Sequence, residues 1–165
     1  MLRAARQTSG QTDGGMKFHT LRRETRIPKP VDEVFAFFAE AVNLEAITPP
    51  WLGFRTLTPQ PIAMAAGTRI QYRLSIRGAP VRWTTGIRRW DPPHRFVDVQ
   101  LSGPYQLWHH THSFEPCEGG TRMTDVVRYR LPLACIGRLI NSLIVKRDVE
   151  RIFDYRNRRI RQIFG

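Results

Sequence analysis

The chain of 165 residues is long enough for one domain with a sizeable core, and its 41% hydrophobic content includes no apolar run near the ~20 residues of a membrane-spanning helix. Its two cysteines, Cys117 and Cys135, make no CxxC pair, which excludes a structural zinc site built on thiolates and leads to the expectation of reduced thiols in a cytoplasmic protein. The net charge of +12 is carried almost entirely by arginine, a balance that attracts anionic partners but speaks to association and not to fold.

Residues 1–16 are polar and glycine-rich and are expected to form a disordered tail, leaving one domain over 17–165. Residues 17–27 read as a strand with mixed faces, ended by Pro28 and Pro30. Asp32 and Glu33 suit a helix N-terminus, and Val31, Val34, Phe35, Phe38 and Val42 recur at helical spacing behind them. Residues 43–48 add a second short helical turn, stopped by Pro49 and Pro50, and 51–57 form a short strand. From Thr68 the alternation is clean. Ile70, Tyr72, Leu74 and Ile76 share one face against Arg69, Arg73 and Arg77, as in a half-buried antiparallel strand. Val81, Trp83, Thr85 and Ile87 continue the inward face after the turn at Gly78. Strands over 95–101, 105–115 and 123–131 follow, separated by turns at 91–94, 102–104 and 116–120. After Pro132 the period changes to three and four, and Ile136, Leu139, Leu143, Val149, Phe153, Arg156 and Ile160 mark a long amphipathic helix running to the C-terminus. Strands with segregated helices make an α+β layout, in which the terminal helix covers one face of the sheet.

Three of the five histidines lie in one strand. Side chains alternate along it, so Trp108, His110, His112 and Phe114 share a face that carries two large aromatics and no acid or arginine, and His109 points the other way. On the next strand Met123, Asp125, Val127, Tyr129 and Leu131 share a face opposite Arg122, Arg128 and Arg130. Asp125 is thereby a carboxylate among apolar side chains, and such a group needs a partner. Pairing Phe114 with Met123 sets His112 opposite Asp125; a slip of two residues sets His110 there instead. Three readings remain open: a satisfied polar contact within the core, a metal site with Asp125 as third ligand, or a polar patch that binds or protonates an organic ligand. Nothing else in the sequence demands a metal, and no metal or cofactor is expected. The strand over 95–101 keeps two orientations open. Hydrophobicity alone turns Val97, Val99 and Leu101 inward, whereas a different loop length at 102–104 turns Phe96, Asp98 and Gln100 toward the histidines.

The stretches IPKPVDEVFAFFAEAVNLEAITPPWLGF, GTRIQYRL, RWTTGIRRW, PPHRFVDVQLSGPYQLWHHTHSF and GGTRMTDVVRYRLP, followed by the terminal helix, together resemble the START-like (SRPBCC) superfamily, over residues ~17–164. Within it they look most like polyketide cyclase/dehydratase-type and coenzyme Q-binding START-type proteins. The resemblance implies a helix-grip fold: a bent seven-stranded antiparallel sheet wrapped around a long C-terminal helix, with two short helices after the first strand. It also implies a cavity between sheet and helix. Carried over residue by residue, the lining comprises Trp83, Phe96, Asp98, Gln100, Trp108, His110, His112, Asp125 and Tyr129, with Leu139, Leu143 and Phe153 from the helix and Trp51, Leu52 and Phe54 near the entrance. It favours the second orientation of the strand over 95–101.

The function expected on these grounds is binding of a hydrophobic or aromatic small molecule such as a lipid, quinone or polyketide-like compound. The alternative is a cyclase/dehydratase-type enzyme with His110 or His112 as general acid/base and Asp125 fixing its tautomer. The arginines of the strands, with Arg151, Arg156, Arg158, Arg159 and Arg161 on the helix, are read as a solvated face that extends to transient contact with anionic membranes. No aromatics interleave them as a stacking platform for nucleic acid would require, so nucleic acid is not expected as a partner.

Overall fold

The computed structural model describes residues 10–13, 16–131 and 139–165, with side chains over 18–131 and 143–165. The chain order is β1 (Gly10–Asp13), β2 (Met16–Ile27), α1 (Val31–Ala39), α2 (Asn43–Ala46), a 3₁₀ turn (Pro50–Leu52), β3 (Arg55–Thr56), β4 (Arg69–Ile76), β5 (Ala79–Asp91), β6 (Arg95–Ser102), β7 (Leu107–Cys117), β8 (Gly120–Arg130) and α3 (Leu139–Phe164). All strands belong to one antiparallel sheet in the order β1-β2-β8-β7-β6-β5-β4-β3. The seven strands expected from alternation are present, with the long terminal helix and the short helices after β2; this is the helix-grip fold. An eighth strand is added at the edge. Disorder was expected throughout 1–16, yet Gly10–Asp13 pair with Met16–His19, because a strand edge left open at β2 offers unpaired backbone groups to the chain before it. Residue 136, read as the start of the terminal stripe, lies outside the described residues.

α1 begins directly after Pro30, carries Asp32 and Glu33 in its first turn, and buries Val34, Phe35 and Phe38. It ends at Ala39, so Val42 falls off the stripe and is 49% exposed. Phe35 and Phe38 pack edge-on and tilted against Phe114 of β7, and Ile160 and Phe164 of α3 complete that cluster. A second cluster joins Val149 and Phe153 of α3 to Leu21 of β2 and to Val127 and Tyr129 of β8. The helix therefore rests on the β2–β8 half of the sheet. The β4–β6 half faces it across a gap.

The β7–β8 hairpin fixes what sits opposite what. Its turn runs through Gly119 and Gly120, both at positive φ. Gly120 also lies so close to β2 that a Cβ there would overlap the Ile27 carbonyl oxygen. The resulting register pairs Phe114 with Met123, His112 with Asp125 and His110 with Val127. β6 pairs Phe96 with His112 and Asp98 with His110. Phe96 and Asp98 thus lie on the histidine face, while Leu101 is 45% exposed.

Candidate functional site

β7 presents His110 and His112 two residues apart, hence on one face, and both are buried. Asp125 comes from β8 on one side and Asp98 from β6 on the other. His110 Nε2 lies 2.9 Å from Asp125 Oδ1, and His112 Nε2 lies 2.9 Å from Asp98 Oδ2. The second nitrogens close the circuit: His112 Nδ1 is 2.9 Å from Asp125 Oδ1 and His110 Nδ1 is 3.6 Å from Asp98 Oδ2. The His112 Nδ1 contact lies off the angle of a hydrogen bond, leaving that buried nitrogen without a well-directed partner. The two imidazoles are 3.7 Å apart at their centroids, and Phe96 stacks on His112 at 4.0 Å.

Charge in this cluster is divided unequally. Burial presses His110 down to about 4, helped by the neighbouring His112, so this imidazole is neutral near pH 7. Burial would depress His112 as well, but its contacts with Asp125 and Asp98 outweigh that and raise it above the ordinary histidine value. Burial would raise both carboxyls; the histidine hydrogen bonds and the charge of Arg156 instead hold Asp98 below, and Asp125 well below, the usual carboxylate range. Arg156 reaches the cluster from α3 and is 9% exposed, and its Nε has no hydrogen-bond partner among the described residues. Two carboxylates thus face one buried guanidinium and one imidazole that favours its charged form. Because the histidines share both acids, their protons belong to the group and not to single residues.

The cluster opens onto a cavity of about 560 Å³ between α3 and the β4–β6 half of the sheet. Ile70, Tyr72 and Leu74 of β4 form part of its wall, α1 and α2 its roof. Burial and the Asp98 charge push the Tyr72 hydroxyl up, so it is a neutral donor. Trp51, Leu52 and Phe54 lie at the rim; Trp51 is half exposed, with Arg151 Cζ 5.5 Å from its ring centre.

Residues 27–152 match the family described as polyketide cyclase / dehydrase and lipid transport. The chain belongs to this family. Its solved structural neighbours agree on the fold. Protein Ms6760 from Mycobacterium smegmatis superposes with a TM-score of 0.66 at 18% identity, covering 98% of this chain and 97% of that one. Protein CV1439 from Chromobacterium violaceum gives 0.68 at 12% identity, over 88% and 96% of the two chains. The ginseng major latex-like protein 151 from Panax ginseng gives 0.63 at 13%, over 90% and 98%. These identities speak to fold alone; the family match agrees with the START-like superfamily expected from sequence. A search of curated proteins by sequence returned no significant match.

In this member of the polyketide cyclase/dehydrase family, Trp51, Trp83, Phe96, Asp98, Trp108, His110, His112 and Phe153 all line the cavity. Asp125 stands behind the histidines and holds them without reaching the cavity wall. Asp125 was itself expected in the lining, and three further expected lining residues are placed elsewhere. Gln100 turns back on the 102–105 bend, where its amide donates to the Tyr105 carbonyl at 2.6 Å and accepts from the Tyr105 N–H at 3.2 Å. Tyr129 lies in the core under α3, its ring stacked on His19 at 5.2 Å, and burial pushes its hydroxyl up to about 12. Leu143 is 56% exposed, since the helix turns that position away from the sheet. The Leu139 side chain lies outside the described residues. Arg156, counted among the outward arginines, points in; it sits three residues after Phe153 and four before Ile160, and that spacing was the signal. Arg23 was missed altogether. It is buried on the face of β2 that pairs with Asp125, and an ion pair with Asp154 of α3 at 3.4 Å holds it.

Proposed function

We propose that this protein binds a hydrophobic or aromatic small molecule, of lipid, quinone or polyketide-like character, in the cavity between α3 and the sheet. The observation that carries the reading is a largely apolar cavity of about 560 Å³ whose wall includes the buried His110 and His112 with Asp98 beside them. This size lies within the usual ~300–1,000 Å³ range of small-molecule sites. The ligand's apolar body would lie along Ile70, Leu74 and Trp83, and its oxygen-bearing end would meet Arg156, Asp98 and the two histidines. The family description, which names lipid transport beside cyclisation and dehydration, supports the same class of ligand.

Thermal denaturation in the presence of a panel of fatty acids, phospholipids, quinones and aromatic polyketides tests the reading. A ligand at 100 times its Kd stabilises the fold by about 2.7 kcal/mol. Leu74→Trp, which places an indole into the cavity, should abolish the stabilisation while the variant stays folded. A panel without any shift in the wild-type protein would contradict the proposal.

A second reading, catalysis of the cyclase/dehydratase type, is favoured by one specific observation: a neutral imidazole and a charged-leaning imidazole share the cavity wall. His110 would take a proton, His112 would donate one, and Asp125 would hold both rings in place. If turnover of a bound ligand is found, His110→Ala and His112→Ala should each lower it ~10²–10⁴-fold.

The exposed Trp51 and Arg151 at the rim, with the outward arginines of β4 and β5, support a transient contact with anionic membranes during loading.

A further inference from the structure

We propose that Asp98, His110 and His112 form a binding site for one divalent transition-metal ion, with zinc as its typical occupant and with one coordination position facing the cavity. The site goes beyond the ligand-binding reading and does not depend on the ligand's identity.

The geometry is that of a metal site and its supporting shell. Each imidazole has one nitrogen turned to Asp125 and the other turned to Asp98: His110 uses Nε2 and Nδ1, His112 uses Nδ1 and Nε2, respectively. Asp98 Oδ2 faces His110 Nδ1 and His112 Nε2, and Asp98, His110 and His112 each offer a donor atom lying within 4.8 Å of the other two. Asp98 Oδ2 lies 2.9 Å from the His112 nitrogen and 3.6 Å from the His110 nitrogen. Four ligands at 2.0–2.1 Å around zinc have edges of ~3.3 Å, and the two observed separations bracket that value. Two imidazoles and one carboxylate are a donor set that zinc and ferrous iron both take, with room left for water or substrate.

Asp125 occupies the supporting position. It sits 2.9 Å from the far nitrogen of each ring, and its hydrogen bond with His110 Nε2 favours the tautomer that leaves the His110 Nδ1 lone pair free for a metal. All three proposed ligands line the cavity and Asp125 does not, so an oxygen of a cavity-bound molecule would reach the ion and not its supporting acid. Such an ion would act as a Lewis acid toward an oxygen of the bound molecule.

The test is calorimetric titration of the chelator-treated, folded protein with zinc chloride, repeated with Co²⁺ followed by visible absorption. The wild-type protein should take up one equivalent with a micromolar or tighter Kd. Asp98→Asn and His112→Gln should each weaken binding at least 100-fold, Asp125→Asn should weaken it ~10–100-fold, and His109→Ala, on the opposite face, should leave it unchanged. Should the variants lose their fold, proton NMR of the Co²⁺-loaded wild-type protein gives the answer without them: the ring protons of His110 and His112 should be paramagnetically shifted. Absence of saturable one-equivalent binding, one-equivalent binding that survives both Asp98→Asn and His112→Gln, or unshifted His110 and His112 ring protons would each overturn the proposal. A protein that binds zinc but no hydrophobic molecule would separate this site from the ligand reading.

Discussion

Two histidines two residues apart have opposite responses to pH, and folding stability inherits both. In an unfolded chain each titrates near 6.5. In the fold His110 sits at about 4, so between these values the unfolded chain binds a proton that the folded one does not. Stability should fall on acidification through that window, by up to ~1.4 kcal/mol per pH unit from this residue. His112 is shifted the other way; its contribution is fully present below about 6.5 and is lost as pH rises through its raised folded value. Asp98 and Asp125 contribute above the ordinary carboxylate range and lose that contribution as pH falls through their lowered values. Urea unfolding across a pH series should therefore show a maximum near neutrality. His110→Gln should flatten the slope between pH 6.5 and 4, and an unchanged slope would contradict the assignment. Asp125→Ala removes the acid shared by both rings and should cost about 3–5 kcal/mol in the same assay, because it strips a buried imidazolium of a partner.

At the scale of elements, the site depends on hairpin register. In the observed pairing β6, β7 and β8 bring Asp98, His110, His112 and Asp125 together. Gly120→Ala should destabilise the fold by about 1–3 kcal/mol or more, since the position combines a positive φ with contact against the Ile27 backbone; calorimetric melting checks this, and an unshifted melting temperature would contradict it. The alternation of β8 is nearly free of exceptions, which is why the inward face of Asp125 could be read from sequence. The choice between two registers could not be read from alternation, because a slip of two residues preserves every face. β6 was ambiguous for another reason: Phe96 and Val97, on opposite faces, are both buried, so hydrophobicity does not distinguish them. Gln100 has the parity of a cavity residue, but its amide is spent on the bend before β7, and periodicity does not register such a bond. Arg156 shows the converse, a charge whose position on an apolar stripe outweighed its chemistry.

For the whole molecule, the decisive feature is where the helix does not touch the sheet. α3 packs on β2 and β8 through Val149 and Phe153, and the space over β4 to β6 is left as a cavity. Apolar stripes on β4 and β5 would look the same in a filled core, so the cavity was expected from the family resemblance and not from residue patterns. The surface around it is strongly cationic: Arg69, Arg73, Arg77, Arg82 and Arg88 are all exposed. Vesicles rich in anionic lipid should bind the protein at low salt and release it as ionic strength rises, as measured by sedimentation; binding insensitive to salt would exclude an electrostatic origin. The most direct test of the central claim, a cavity that holds a hydrophobic molecule against buried polar groups, is native mass spectrometry of protein purified without detergent and then loaded from the lipid and quinone panel. A single non-covalent adduct, present in the wild-type protein and absent from Leu74→Trp, is the result expected. Wild-type protein that remains folded and empty throughout the panel would contradict it.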